Sequence, residues 1–432
     1  MSEGSAALRA SWLGRIMAQA RLRNMQCPLV WTTAASFDGV LEDKLRDLVT
    51  LAPSAWDAVV RDLVRVSRMM HTSTGSLDDI KATLSRCFEL VHRPRRTSPS
   101  DEPCAIVDEY RTALLHALDT TFLMVACVFD RKNLEEVPAT EHVPKYESMD
   151  VKTKSAIWAI RAQVKLTCYL DGLHRSAGPL CSASLTVSLP PGLGTDEAPV
   201  MRPPSLMDAL LAASRAKDML PSEGHWKALY GDMLPDDNPR KLTLLRNAAR
   251  ARRSPFTLTC LSRYLYKLGD HAAFDLCADA LVEWPRSVHA NVSYVLMYLS
   301  CSVPGKLSRC LAEQCLLRLQ RLTPACVFVQ GLALQLRLQA AEENSYLGGG
   351  DAGGVAPLRP RPFSPTDHEA IHKALEMYVG DGEPWSMVRR EPCGRVQLDK
   401  CNCVCSGDCA YLTYKEHGTL LAGDKPLACY AE

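Results

Sequence analysis

A chain of 432 residues with 47% hydrophobic content has the material for a sizeable buried core and for roughly two to three domains at ~150 residues each. Its 50 Lys and Arg stand against 49 Asp and Glu, which excludes a global charge bias toward nucleic acid or an anionic membrane; such binding must rest on a local patch. The most apolar stretch, "TFLMVACVF" at 121–129, falls short of the ~18 residues a membrane span takes, so no membrane is expected among the partners.

Residues 4–37 carry Arg9, Arg15, Arg21 and Arg23 without an Asp or Glu, a composition similar to that of a mitochondrial presequence. Leu8, Trp12, Ile16 and Ala20 also follow helical spacing, and Glu3 fits a presequence badly. The expected location is the cytoplasm, with the mitochondrion as the alternative. Eighteen cysteines is a high number, but many lie singly in apolar helical contexts, as Cys127 and Cys277 do, and read as reduced core residues.

In "SAWDAVVRDLVRVSRMM" the residues Trp56, Val59, Val60, Leu63 and Val66 share one helical stripe, which predicts a helix with one buried face. Ser76 and Asp79 form the capping pair of the next helix, which runs to Val91. After the break "HRPRRTSPSDEP", residues 104–129 read as one long, largely buried helix, and another follows from about Asp150 to Leu173. Together these make an N-terminal helical domain over 1–188, in which "SASLTVSL" is the one alternating strand signal. Residues 189–204, dense in Pro and Gly, read as a linker.

From 205 to 344 the pattern is successive helices joined by short turns, hence antiparallel helix pairs. Residues 257–285 superpose on 292–319 at a spacing of 35, with Leu261 on Leu296, Leu276 on Leu311 and Leu281 on Leu316. A repeat of that length is one helical hairpin that buries its apolar face only by stacking on its neighbours. Lys267, Gly269, Asp270, Ala273, Ala280 and Pro285 resemble the tetratricopeptide repeat, where a Gly closes the turn, small residues let helices approach and a Pro ends the second helix. One residue is missing between Gly269 and Ala273, and the first helix lacks the family's Trp and Tyr. The resemblance implies protein partners. In the related pentatricopeptide proteins polar residues read RNA bases, and Cys260 and Val295 fall at those positions here. The expected fold class is all-α: a short solenoid of helical hairpins between an N-terminal helical domain and a small cysteine-rich C-terminal module.

A Gly- and Pro-rich linker at 345–365 leads into that module, 366–432, which holds two candidate metal sites. His368 and His372, four residues apart with Glu369 between them, form the H-E-x-x-H string in which two imidazoles hold zinc and the Glu acts as base. Thr366 and Glu369 also make a complete capping box, which explains Glu369 without metal. In "CNCVCSGDC", Cys401, Cys405 and Cys409 fall on one face of an extended segment. The fourth donor would come from Cys393, His417 or Cys429, so a structural zinc is expected there, with free reduced thiols or a redox or disulfide role as the alternatives. A third candidate is the basic run "RKLTLLRNAARARRS", where Arg246, Arg250 and Arg253 share a helical stripe suited to the phosphates of RNA. The alternative for that run is a solvated face whose counter-charges sit on neighbouring helices.

No nucleophile–base pair, phosphate loop or nucleotide fingerprint occurs in the sequence. The expectation is therefore a non-catalytic scaffold or adaptor that holds a protein partner. The alternatives are a mitochondrial RNA-associated repeat protein and a zinc-dependent hydrolase built on the His368 string.

Overall fold

The computed structural model describes residues 25–32, 42–72, 74–92, 105–130, 143–176, 205–300, 308–333 and 335–336. Among these the secondary structure is helical, with no strand. In chain order the helices are α1 (Glu42–Thr50), α2 (Ala55–His71), α3 (Leu77–His92), α4 (Ala105–Glu109), α5 (Arg111–Asp130), α6 (Val151–Ser176) and α7 (Leu206–Met219). They continue as α8 (Gly224–Met233), α9 (Lys241–Ala251), α10 (Pro255–Lys267), α11 (Ala272–Glu283), α12 (Val288–Ser300) and α13 (Arg309–Leu322). Contacts divide them into two units: α2 to α7 form the first, and α8 to α13, with α1 from far earlier in the chain, form the second.

The first unit is built on the stripes the sequence shows. Trp56, Val59, Val60, Leu63 and Val66 of α2 are all buried, and the Trp56 indole N–H donates to Gln163 Oε1 of α6 at 2.7 Å. Ser76 and Asp79 cap α3 reciprocally: the Asp79 N–H donates to Ser76 Oγ at 3.0 Å, and the Ser76 N–H to Asp79 Oδ2 at 3.3 Å. Asp62 of α2 is fully buried and takes both a 2.5 and a 2.7 Å hydrogen bond from Arg86 of α3, so its charge is matched where it lies. The single helix expected over 104–129 breaks at Tyr110 into α4 and α5. Arg111–Phe129 of α5 is long and apolar enough to cross a membrane. Ala113, Leu114, Ala117, Leu118 and Met124 bury it among α2, α3 and α6, and His116 Nε2 donates to the Met25 carbonyl at 2.6 Å.

The Pro- and Gly-rich break at 189–204 lies outside the described residues, as do the strand signal before it, residues 1–24 and the whole segment from 337 on. The helix after the break, α7, packs on α6 in the first unit, and the hairpin stack begins at Ser222. Ala209, Ala212, Ala213 and Ala216 explain this: they make a flat, buried stripe that lets α7 lie close against a neighbour. Pro and Gly mark where a helix must stop, not where one core gives way to another.

Among the described residues the second unit is a stack of three hairpins, α8–α9, α10–α11 and α12–α13. The first helices α8, α10 and α12 pack in succession, and each of α9 and α11 also leans on the first helix of the next hairpin. The repeat read at a spacing of 35 holds in the packing. Leu261 and Leu296 are each buried, Leu281 and Leu316 likewise, and the Ser262 hydroxyl donates to Met297 Sδ, its own repeat equivalent, at 3.6 Å. Gly269 closes the α10–α11 turn at φ +74°, the left-handed conformation that Gly adopts without steric penalty, and the Asp270 N–H bonds back to the Leu265 carbonyl at 2.9 Å. In α8 a Cβ at Gly224 would stand 2.6 Å from the Ala248 carbonyl oxygen, so Gly is what lets α8 and α9 meet.

Helix α1 enters this unit through a buried carboxylate. Asp47 accepts the N–H groups of Val327 at 2.7 Å and Phe328 at 3.0 Å, and the Cys326 thiol lies 3.5 Å from it. It therefore caps the free N–H groups of the helical stretch that starts at 327, a task normally done by a residue next to the helix.

Candidate functional site

The second helices of the three hairpins present a common outer row. Leu245 and Ala248 of α9 are buried in the same rhythm as Cys277 and Ala280 of α11, a spacing of 32 residues, and Ala312 and Cys315 of α13 continue it at 35. On the opposite face of each helix, two residues beyond the second buried one, Arg250, Val282 and Leu317 stand at equivalent positions, all exposed. Val282 is 84% and Leu317 52% accessible, on helices whose opposite faces are close-packed.

The inner sides of the hairpins are closed by comparison. Cys260 and Val295, at the positions where an RNA-reading repeat displays polar groups, are 1% and 0% accessible and lie in the core. Leu258, Leu261 and Leu265 of α10 and Val295, Leu296 and Leu299 of α12 are buried likewise. Among the described residues, the exposed side chains of the hairpin helices lie chiefly on the second helices.

The basic run along α9 divides by partner. Lys241 is nearly buried: its ammonium donates to the Leu234 carbonyl at 2.6 Å and the Asp236 carboxylate at 2.8 Å, and lies 5.1 Å from the Tyr264 ring centroid. It thereby covers the carbonyl end of α8. Arg252 pairs with Glu223 at 2.8 Å, and Glu223 also caps α8 by accepting the His225 N–H at 2.7 Å. Arg253 donates to Glu283 at 2.8 Å and Asp279 at 3.4 Å, both on α11, and the Glu283 hydrogen bond holds its guanidinium above the ordinary pKa. Arg246 and Arg250 are exposed and make no ion pair among the described residues. Of the three stripe residues, then, Arg253 has the counter-charges on a neighbouring helix that the solvated-face alternative calls for, while Arg246 and Arg250 keep theirs open.

No protein-family model matches the chain, and no curated protein does. Among solved structures, human IFIT1, determined as a dimer with m7Gppp-AAAA, aligns over 85% of this chain and 79% of its own at 13% identity and a TM-score of 0.32.

The remaining sequence-level candidates, His368, His372 and Glu369, and Cys393, Cys401, Cys405, Cys409, His417 and Cys429, lie outside the described residues. Among the described residues no group of three or more His, Cys, Asp or Glu is placed to hold a metal. The outer row itself escapes a search at one fixed spacing, because the first hairpin sits 32 residues from the second and the second 35 from the third. What reveals it is the burial rhythm, which a shorter connecting turn does not disturb.

Proposed function

We propose that the chain is a non-catalytic scaffold whose three-hairpin stack binds a protein partner along the outer row formed by α9, α11 and α13. The observation that carries this reading is the pair Val282 and Leu317, two exposed apolar side chains at equivalent positions on successive hairpins. Repeats that expose the same position on each unit present a linear surface, and a partner helix or extended segment can follow it. Affinity purification of the full chain, with and without nuclease, tests it. The expected result is a protein partner that survives nuclease and is lost from the Val282→Asp/Leu317→Asp double variant, whose helical spectrum stays unchanged. Exposed Arg246 and Arg250 support a second reading, in which the same row meets RNA. Partners that vanish with nuclease, and recovery that depends on Arg246 and Arg250, would replace the first reading by this one.

A further inference from the structure

We infer that the first unit carries a binding site for a phosphate-class oxyanion of a small molecule, formed by Arg161, Arg215 and the Tyr146 hydroxyl around the Trp158 indole. Arg161 and Trp158 stand on α6, Arg215 on α7, and Tyr146 on the short 3-10 turn Tyr146–Ser148 that precedes α6. The Arg161 guanidinium carbon lies 4.8 Å from the Trp158 ring centroid and 6.0 Å from that of Trp31, and the Arg215 guanidinium carbon lies 4.6 Å from the same Trp158 ring. The Trp158 indole N–H donates to the Tyr146 oxygen at 2.7 Å, which leaves the Tyr146 proton free to be donated onward.

Two cations are thus gathered on one aromatic ring, and they repel each other. Burial and the neighbouring Arg215 both lower the Arg161 pKa; burial raises that of Tyr146, against which both guanidiniums pull. Among the described residues Arg161 makes one hydrogen bond, to Gln26 Oε1 at 3.3 Å, and Arg215 makes none; neither has an ion pair. The acid whose charge reaches Arg161 is Asp208, and its carboxylate is occupied in capping α7, taking the Ser205 N–H at 2.9 Å.

A purely structural cation–π contact needs one guanidinium on the ring. A second, brought beside it with no carboxylate in ion-pair contact with either, adds repulsion that a bound dianion removes. Two guanidinium forks and a hydroxyl supply donors in the number and charge that match a phosphate group. Because both cations already lie over the Trp158 ring, the site is suited to the phosphate end of a ligand and not to stacking of a nucleobase on that indole.

The test is titration of the full chain with inorganic pyrophosphate, followed by Trp fluorescence and by thermal unfolding, against sodium chloride at matched ionic strength. The expected result is a saturable response to pyrophosphate, weakened about tenfold or more by Arg215→Gln, in keeping with the loss of a charge-assisted contact, and less by Arg215→Lys. Arg215 is exposed, so the Gln variant keeps its helical spectrum; Tyr146→Phe, a second variant, is expected to weaken binding by a smaller factor. Absence of a saturable pyrophosphate response, or an unchanged response in Arg215→Gln, overturns the inference. So does a single-stranded RNA oligonucleotide that binds at this site when pyrophosphate does not.

Discussion

Asp47 shows how one side chain can fix a long-range contact. Its carboxylate serves two backbone N–H groups and lies near a thiol, all from residues 326–328, in a place where only 6% of the residue is accessible. Asp47→Ala should lower stability by about 2–4 kcal/mol in urea denaturation, because it leaves buried donors without an acceptor, and Asp47→Asn, which keeps one acceptor oxygen, should cost less. A second residue makes stability depend on acid. Burial, then the nearby Arg252 charge, pull the His225 pKa down to about 3, so the folded protein keeps this ring neutral while the unfolded chain protonates it near 6.5. Below pH 6.5 the unfolded state binds the extra proton, so stability present above that value is lost as pH falls toward 3. The slope approaches ~1.4 kcal/mol per pH unit for this residue, or about 2 kcal/mol at pH 5, and denaturation midpoints of His225→Gln should show a flatter decline over that window. Cysteine chemistry follows the same logic: burial pushes Cys27, Cys260, Cys315 and Cys326 up to about 12, whereas Cys310 is exposed. Residue-resolved alkylation of native protein should label Cys310 well before those four. The core character of the helical cysteines is legible in their apolar sequence contexts. The Asp47 cap is not, since nothing near Asp47 in sequence signals a helix start that lies hundreds of residues away.

At the scale of elements, capping residues and apolar stripes carry most of the readable information. Helices α2, α3 and α6 form where periodicity places them, and successive helices fill the stretch after 205 as its pattern predicts, because such signals act within a few residues. The α10–α11 turn tests one such signal. Nothing lies within 4 Å of where a Cβ at Gly269 would go, so only the backbone conformation opposes a side chain there. Gly269→Ala should therefore destabilise the chain by about 1 kcal/mol in thermal or chemical unfolding, and Gly269→Asn by less, since Asn tolerates positive φ better. Pairings between elements are less readable. That α7 joins α6 depends on the fit of an Ala-rich face, and a composition-based boundary passes over it. The basic run on α9 reads as one patch until Glu223, Asp279 and Glu283, all distant in sequence, neutralise part of it. The cluster of Trp158, Arg161 and Arg215 gives no periodic signal at all, because its two arginines stand on different helices.

For the molecule as a whole, the order of the chain differs from the order of its cores. Residues 42–54 precede most of the first unit yet belong to the second, where Leu51 joins the cluster of Tyr294, Phe328 and Leu332. A fragment starting at Ser222 should accordingly unfold at lower temperature than the same fragment supplied with a peptide of residues 41–54, and the Asp47→Ala peptide should restore little of the difference. Calorimetry of the three mixtures measures it. If the fragment alone is as stable as the mixture, α1 is dispensable to the second unit.

The Asp47 contact also sets a schedule for synthesis. Its partners follow it by 280 residues, which at ~5–20 residues per second means that about 15–60 s pass between the emergence of the two ends. During that interval Leu45 and Leu51, which end up buried, have no second unit to enter. The nascent chain must carry an amphipathic helix with its apolar face uncovered until residues 326–328 leave the ribosome, so a holdase that binds early and lets go late should raise the yield of folded protein more than one that acts on the finished chain.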